Sequence, residues 1–234
     1  GANGYNRYSN TVDNPTEQGY SYFSEDLNVT DGSRKVNAVN FDGNNTTLTV
    51  GDIILDNGET SIEIAKRNPN GNFQWVSYMA SENELTTGKD ISSSESSLVV
   101  VGIFAGNLEY DYLESLQAYG GTDIVISKLD ETGEELWTKQ AGNTGNDAAL
   151  SVGIDQNNNT YATGYITGPA TFDQHTTSTP TGKQSMFLAK YQDDGTVEWV
   201  KTGSNAPNVD FEQSMLVTDS EGNVIVAGDY TGTF

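Results

Sequence analysis

An all-β fold built from repeated four-stranded antiparallel units is what the amino-acid sequence predicts. Two observations predict it: one segment recurs three times at a fixed 62-residue step, and a second segment recurs between its copies. A third is that no stretch shows sustained 3.6-residue apolar periodicity with capping residues, so almost no helix is expected.

The first segment reads IEIAKRNPNGNFQWV (62–76), IVISKLDETGEELWT (124–138) and MFLAKYQDDGTVEWV (186–200), aligned without a gap. Lys66, Lys128 and Lys190 keep the step, as do Gly71, Gly133 and Gly195. So do Trp75, Trp137 and Trp199, the three tryptophans of the chain. The run before each Lys is short, β-branched or aromatic, and nearly continuously apolar, the pattern of a strand covered on both faces. NPNG, DETG and QDDG end in Gly, as a hairpin turn needing positive φ at its last residue requires.

The second segment reads VNFDGNNTTLTVGD (39–52), SVGIDQNNNTYATGY (151–165) and LVTDSEGNVIVAGDY (216–230), with a degenerate copy DISSSESSLVVVGIF (90–104). Asp42, Asp155 and Asp219 each precede a glycine by nine residues, and Ser93 takes the Asp place before Gly102. DGNN, DQNN and DSEG are turns in which Asn tolerates the left-handed conformation where Gly is missing. Each unit of about 62 residues therefore holds four strands. Strand A ends at the Asp, B at the Gly and C at the Lys, and D carries the Trp. Such units, buried on both faces, describe β-propeller blades. Blades are expected at approximately 34–80, 85–142, 146–204 and, in part, 209–234, about 3.5 in all. Residues 1–33 are a polar segment, a linker or a source of partial outer strands, with YSYFSEDLNV (20–29) as the donor. The count is met by that donation, by assembly of several chains, or by a longer protein, which is the expectation preferred here.

DSEGNVIVAGDYTGTF and MFLAKYQDDGTVEWVK carry a family resemblance. The Asp turn, the paired glycines, the apolar-Ala/Ser-Lys run and the Gly-x-x-x-Trp spacing together resemble the SBBP-type bacterial β-propeller repeat over residues 36–234. SSSESS in the second copy departs from it. The resemblance implies a propeller fold and an extracellular or cell-surface setting, because the family occurs in exported and surface proteins of bacteria and archaea. It brings no catalytic residues with it.

Composition narrows the partners. The formal charge of −22, from 33 acidic and 11 basic residues, repels nucleic acid and anionic membranes. No apolar run approaches the roughly 18 residues of a membrane helix, so no membrane insertion is expected. The absence of cysteine removes disulfides, thiol chemistry and Cys-ligated metal. The polar, Gly/Asn/Pro-punctuated start reads as a linker or mature N-terminus, any export signal having been removed.

The residues that first look functional are mostly framework. The three lysines are expected to end strand C with their stems on apolar surface and their charges snorkelling to solvent. The tryptophans are expected to fill the seams between blades, not to form a glycan-stacking stripe. The turn Asp residues cap backbone amides, with Ca²⁺ binding as the alternative. His175 is read as a surface loop residue, and Glu134–Glu135 and Asp193–Asp194 as solvent-facing turn acids. No catalytic, cofactor-binding or metal-ligating residue is assigned. The loops that break the period are better candidates, because insertions at one place in each repeat gather on one face. In AGNLEYDYLESLQAYGGT, Tyr110, Asp111, Tyr112, Glu114 and Tyr119, beside Glu109, suit a carbohydrate or a basic protein partner, with Tyr110 partly framework. The expected function is a non-enzymatic binding or adhesion scaffold. The alternatives are a polysaccharide-acting enzyme on a propeller scaffold, and a structural subunit whose open blade face is completed by further blades or another chain.

Overall fold

The repeated segments form matching sheets. The computed structural model describes residues 8–9, 33–42, 46–54, 60–81, 85–110, 115–203, 210–219 and 222–231. Among these there is no helix, and every strand pairs antiparallel. The proposed donor at 20–29 lies outside the described residues.

Sheet I contains β1 (Tyr8–Ser9), β2 (Ser33–Phe41), β3 (Thr47–Ile54), β4 (Thr60–Arg67) and β5 (Phe73–Ser81). The chain continues through β6 (Thr86–Ser93), β7 (Ser97–Phe104), β8 (Asn107–Glu109), β9 (Leu116–Gln117), β10 (Asp123–Asp130) and β11 (Glu135–Gly142). Next come β12 (Ala148–Ile154), β13 (Thr160–Thr167), β14 (Thr171–Phe172), β15 (His175–Thr176), β16 (Gln184–Tyr191) and β17 (Val197–Thr202). The last are β18 (Asp210–Thr218) and β19 (Val224–Thr231). The meander β2-β3-β4-β5 recurs as β6-β7-β10-β11 in sheet II and β12-β13-β16-β17 in sheet III, and its first half as β18-β19 in sheet IV. β1 adds to β5, pairing Tyr8 with Val76, so this piece of the N-terminal segment extends sheet I and not sheet IV.

The turn chemistry sets these registers. Gly71, Gly133, Gly195 and Gly222 all adopt φ near +80°, and Asn158 at φ 60° replaces Gly in the third A–B turn. The register shift after each Lys, at Lys66/Arg67, Lys128/Leu129 and Lys190/Tyr191, is the bulge such turns impose. The degenerate turn corrects one expectation. Ser94, not Ser93, takes the Asp place: its amide donates to Ser97 O, and its hydroxyl accepts from the Ser96 and Ser97 amides. Ser93 is still a ladder residue, paired with Leu98, because this turn is one residue shorter.

Burial on both faces explains the apolar runs. In sheet II, Leu98, Val100, Val125 and Leu129 pack on Val50, Ile62, Ile64 and Met79 of sheet I. The alternate residues Val99, Val101, Ile124 and Ile126 pack on Ala149, Val152, Ala162 and Phe187 of sheet III. Each such side chain contributes about 1.5–3 kcal/mol when fully buried. Sheet IV meets sheet III through Leu216, whose amide donates to Ser151 Oγ at 2.9 Å.

Two tryptophans latch neighbouring sheets. Trp75 Nε1 donates to Glu131 O at 3.0 Å, and Trp137 Nε1 to Asp193 O at 2.9 Å. Each indole lies flat against the turn glycine of the next sheet. A Cβ on Gly133 would come 2.7 Å from Trp75, and one on Gly195 2.9 Å from Trp137. Lys128 departs from expectation, for it does not snorkel. Lys128 is wholly buried, its Nζ donating to Asn158 O and Asp193 Oδ1 of sheet III, both at 2.6 Å. Lys66 pairs with Asp42 of its own A–B turn at 3.0 Å. Sheet II has Ser94 at that place, so Lys128 reaches the next sheet for its acid.

Candidate functional site

The long B–C loops fold back before they present anything to solvent. The hairpin β8–β9 pairs with the edge of β5, Ala80 with Glu109 and Ser81 with Leu108. The hairpin β14–β15 does the same to β11, Ala141 with Phe172 and Gly142 with Thr171. Each insertion therefore straps its own repeat to the preceding sheet. Tyr110 and Phe172, 62 residues apart, are the anchors. Tyr110 is 4% exposed and accepts from Ser77 Oγ, while the Phe172 ring sits 5.1 Å from that of Phe187. Lys139 fastens the second strap by an ion pair to Asp173 at 3.0 Å.

This divides the predicted patch. Tyr110 is buried framework and is not available to a ligand. Asp111, Tyr112 and Glu114 lie outside the described residues. Tyr119 stands out, 54% exposed, on the wall of a cleft of ≈ 560 Å³. The rest of the lining is neutral: Gly142, Asn143, Thr144, Thr167, Pro169 and Thr181 among others. An aromatic face beside amides, hydroxyls and main chain can stack an apolar ring face and hydrogen-bond its edges.

Two carboxylates brace this lining from below, and the sequence reading did not single them out. Asp123 Oδ2 accepts from the Tyr119 amide at 2.9 Å. Asp147 accepts from the Asn143 amide at 2.7 Å and from the Thr167 amide at 2.6 Å. Both residues are fully buried. A Cβ on Gly142 would lie 2.7 Å from Asp123 Oδ1 and 3.0 Å from Asp147 Oδ2, so the two carboxylates face one point. Burial pushes the Asp147 carboxyl up, the Thr167 and Asn143 donors oppose this, the Asp123 charge adds to it, and the result is about 6. Burial also raises Asp123, whose Oδ1 finds no partner among the described residues. One signal for Asp123 was present in the sequence. Its counterparts one step away are Ser61 and Ser185, so the repeat itself does not ask for a carboxylate there.

A second cleft of ≈ 570 Å³ is lined by residues of β2, β6, β12 and β18, the first strand of the meander in every sheet. Asp90 in its wall accepts from Ser151 Oγ at 2.6 Å and the Val152 amide at 2.9 Å, tying β6 to β12. Lys89 beside it is held below the usual lysine range by burial, with Asp52 opposing and Lys35 reinforcing the shift.

The other sequence candidates are structural in this geometry. Asp155 takes the Asn157 and Asn159 amides and the Tyr161 hydroxyl. Burial works against its charge, but these donors outweigh it and hold the carboxyl low. Asp219 caps Asn223 in the same way. Asp193 serves Lys128 and Trp137, and Asp194 accepts from the amide of Thr196. His175 is half-buried in β15, paired with Phe172, and not in an open loop. Among the described residues no group of three or more His, Asp or Glu is placed to hold a metal ion. Comparison with family models and with curated proteins finds no match for this chain.

Proposed function

We propose that the chain is a non-enzymatic, extracellular or cell-surface β-propeller module of the SBBP-type repeat that binds carbohydrate in the Tyr119 cleft. The observation that carries the binding site is the exposed Tyr119 ring over a neutral, amide- and hydroxyl-lined cleft, braced from beneath by Asp123 and Asp147. Neutral donors and acceptors beside an aromatic face suit a sugar better than a cationic partner, whose charge would need acids in the lining. The propeller reading is supported by the equivalence of the sheets and by the common cleft that the first strands of their meanders line. The surface setting rests on the family resemblance.

A glycan array, followed by calorimetry on the best ligand, tests this. Binding by the wild type and at least a tenfold loss in Tyr119→Ala, with unchanged melting temperature, is the expected result. Binding indifferent to Tyr119 sinks the site. Two buried carboxylates, one near pH 6, favour the enzyme as the second reading. Reducing ends released by the wild type and not by Asp147→Asn would establish it in place of the first.

A further inference from the structure

One seam between sheets carries charge where its copy carries none. Asp123 of sheet II and Asp147, just before β12 of sheet III, have counterparts between sheets I and II. Ser61 stands one repeat before Asp123. Gly88 opposite Gly102 matches Ala149 opposite Gly164, which puts Thr86 at the place of Asp147. Ser61 and Thr86 are fully buried, so this place tolerates neutral hydroxyls. Both members become acids together in the seam between sheets II and III. Nothing cationic answers them. Asp147 accepts from the amides of Asn143 and Thr167 and from Asn143 Nδ2, and Asp123 Oδ2 from the Tyr119 amide and Gln140 Nε2. All these donors are neutral, and none of the ion pairs among the described residues includes either carboxylate. Asp123 Oδ1 is wholly buried, has no partner among the described residues, and is aimed at the same point beside Gly142 as Asp147 Oδ2. Buried anions without a counter-charge are strongly unfavourable, and a partnerless oxygen adds to that cost.

We propose that Asp123 Oδ1 and Asp147 Oδ2 are ligands of a hard divalent cation, of the Ca²⁺ or Mg²⁺ class, held in the seam between sheets II and III beneath the Tyr119 cleft. The two oxygens are no farther apart than 2.7 Å and 3.0 Å laid end to end. Oxygen ligands at about 2.3–2.6 Å on either side of one ion bridge such a span, and an all-oxygen donor set suits this class of metal. Gly142 and Asn143 also line the cleft, which puts the rest of the coordination shell within reach of water, as Mg²⁺ in particular requires. The turn aspartates have no such oxygen to offer. Both oxygens of Asp155 and both of Asp219 are already engaged by neighbouring donors. An ion in this seam ties β10 to the start of β12, and through their hydrogen bonds it fixes the Tyr119, Asn143 and Thr167 backbone that shapes the cleft. The formal charge of −22 draws cations to the surface from which it loads. The inference rests on the seam and stands whether or not a sugar binds at Tyr119.

The test uses the whole chain, stripped with a chelator and titrated by calorimetry with calcium chloride or magnesium chloride alone, at neutral pH in physiological salt. The expected result is one saturable site per chain, with a Kd on the order of 10⁻⁴–10⁻³ M for the preferred metal. The melting temperature is expected to rise by about 3–10 °C at a tenfold to hundredfold excess over Kd. Amide resonances of Tyr119, Gly142, Asn143 and Thr167 shift with the same midpoint. Asp123→Ser, which copies the Ser61 seam, and Asp123→Asn, which keeps the shape, are each expected to lose at least tenfold in affinity and to abolish the thermal rise. Asp219→Asn, at a turn remote in the repeat, keeps both. Absence of saturable binding by either metal overturns the proposal. So does undiminished binding in the two Asp123 variants, or amide shifts scattered over the surface acids, which signal adsorption to the net charge. If neither variant folds, the wild-type amide shifts decide alone.

Discussion

Trp137 and Trp199 occupy one position of the repeat in two environments, so replacing each by Ala weighs the latch. Trp137 is buried in the core between sheets II and III, stacks on Tyr191 with centroids 5.9 Å apart, and donates to Asp193 O. An aromatic side chain of this size buries about 150–250 Å², and Trp→Ala in a core costs about 3–5 kcal/mol. Trp199 is half-buried with the Tyr161 ring as its aromatic contact and no turn over it among the described residues, so about 1–2 kcal/mol is expected. For a domain of this size each kcal/mol moves the melting point by about 2–4 °C, placing Trp137→Ala roughly 6–20 °C below wild type and Trp199→Ala roughly 2–8 °C below. Trp137→Phe keeps a ring but removes the N–H donor and part of the buried indole, for about 1–3 kcal/mol. Thermal melts followed by far-ultraviolet circular dichroism read all three. Equal losses for Trp137→Ala and Trp199→Ala would refute the argument, since the turn of the next sheet would then contribute nothing.

Gly195→Ala combines a positive φ with a Cβ 2.9 Å from Trp137, whereas Gly71→Ala has the same φ with nothing within 4 Å. Gly71→Ala is expected to cost about 1 kcal/mol and Gly195→Ala about 3, and a smaller loss for Gly195→Ala in urea titrations would contradict the packing. Lys128→Ala and Lys128→Met both remove the donor to Asn158 O; Ala also empties the channel of the stem, for about 3 kcal/mol, while Met keeps the packing and stays within about 1.5 kcal/mol of wild type by calorimetry. Asp147 binds its proton more tightly in the fold, at about 6, than in the unfolded chain, so its charge is unfavourable to folding. Below about pH 4 both states are protonated and the penalty is absent; it grows as pH rises and is complete near pH 7, at about 3 kcal/mol. Carboxyl carbon resonances measure this directly: Asp123→Ser should lower the Asp147 midpoint, and a wild-type midpoint near 4 would remove the effect.

The sequence was most informative where chemistry repeats. Turn glycines, the Lys-centred runs and the Asp caps announced strand order and register, because each depends on neighbours within a few residues. What it hid depends on contacts one repeat away. The straps β8–β9 and β14–β15 are two or three residues per strand and pair with a sheet some 30 residues earlier, leaving no local period to read. Lys128 looked like its copies until Ser94 deprived it of an acid in its own sheet. Asp123 and Asp147 were masked by the number of acids around them, and only the serines at 61 and 185 set Asp123 apart.

The latches and straps also give the fold a clock. Trp75 is completed by Gly133, and the outer edge of β5 is taken by β1 at one end and by β8 at the other, so part of sheet I is finished by chain that follows it. Sheet II stands in the same relation to Gly195 and β14. On a ribosome adding about 5–20 residues per second, the wait for the next 60 residues is roughly 3–12 s. During that interval the chain that covers the newest sheet has yet to be made, so each sheet is closed by residues of the unit that follows it.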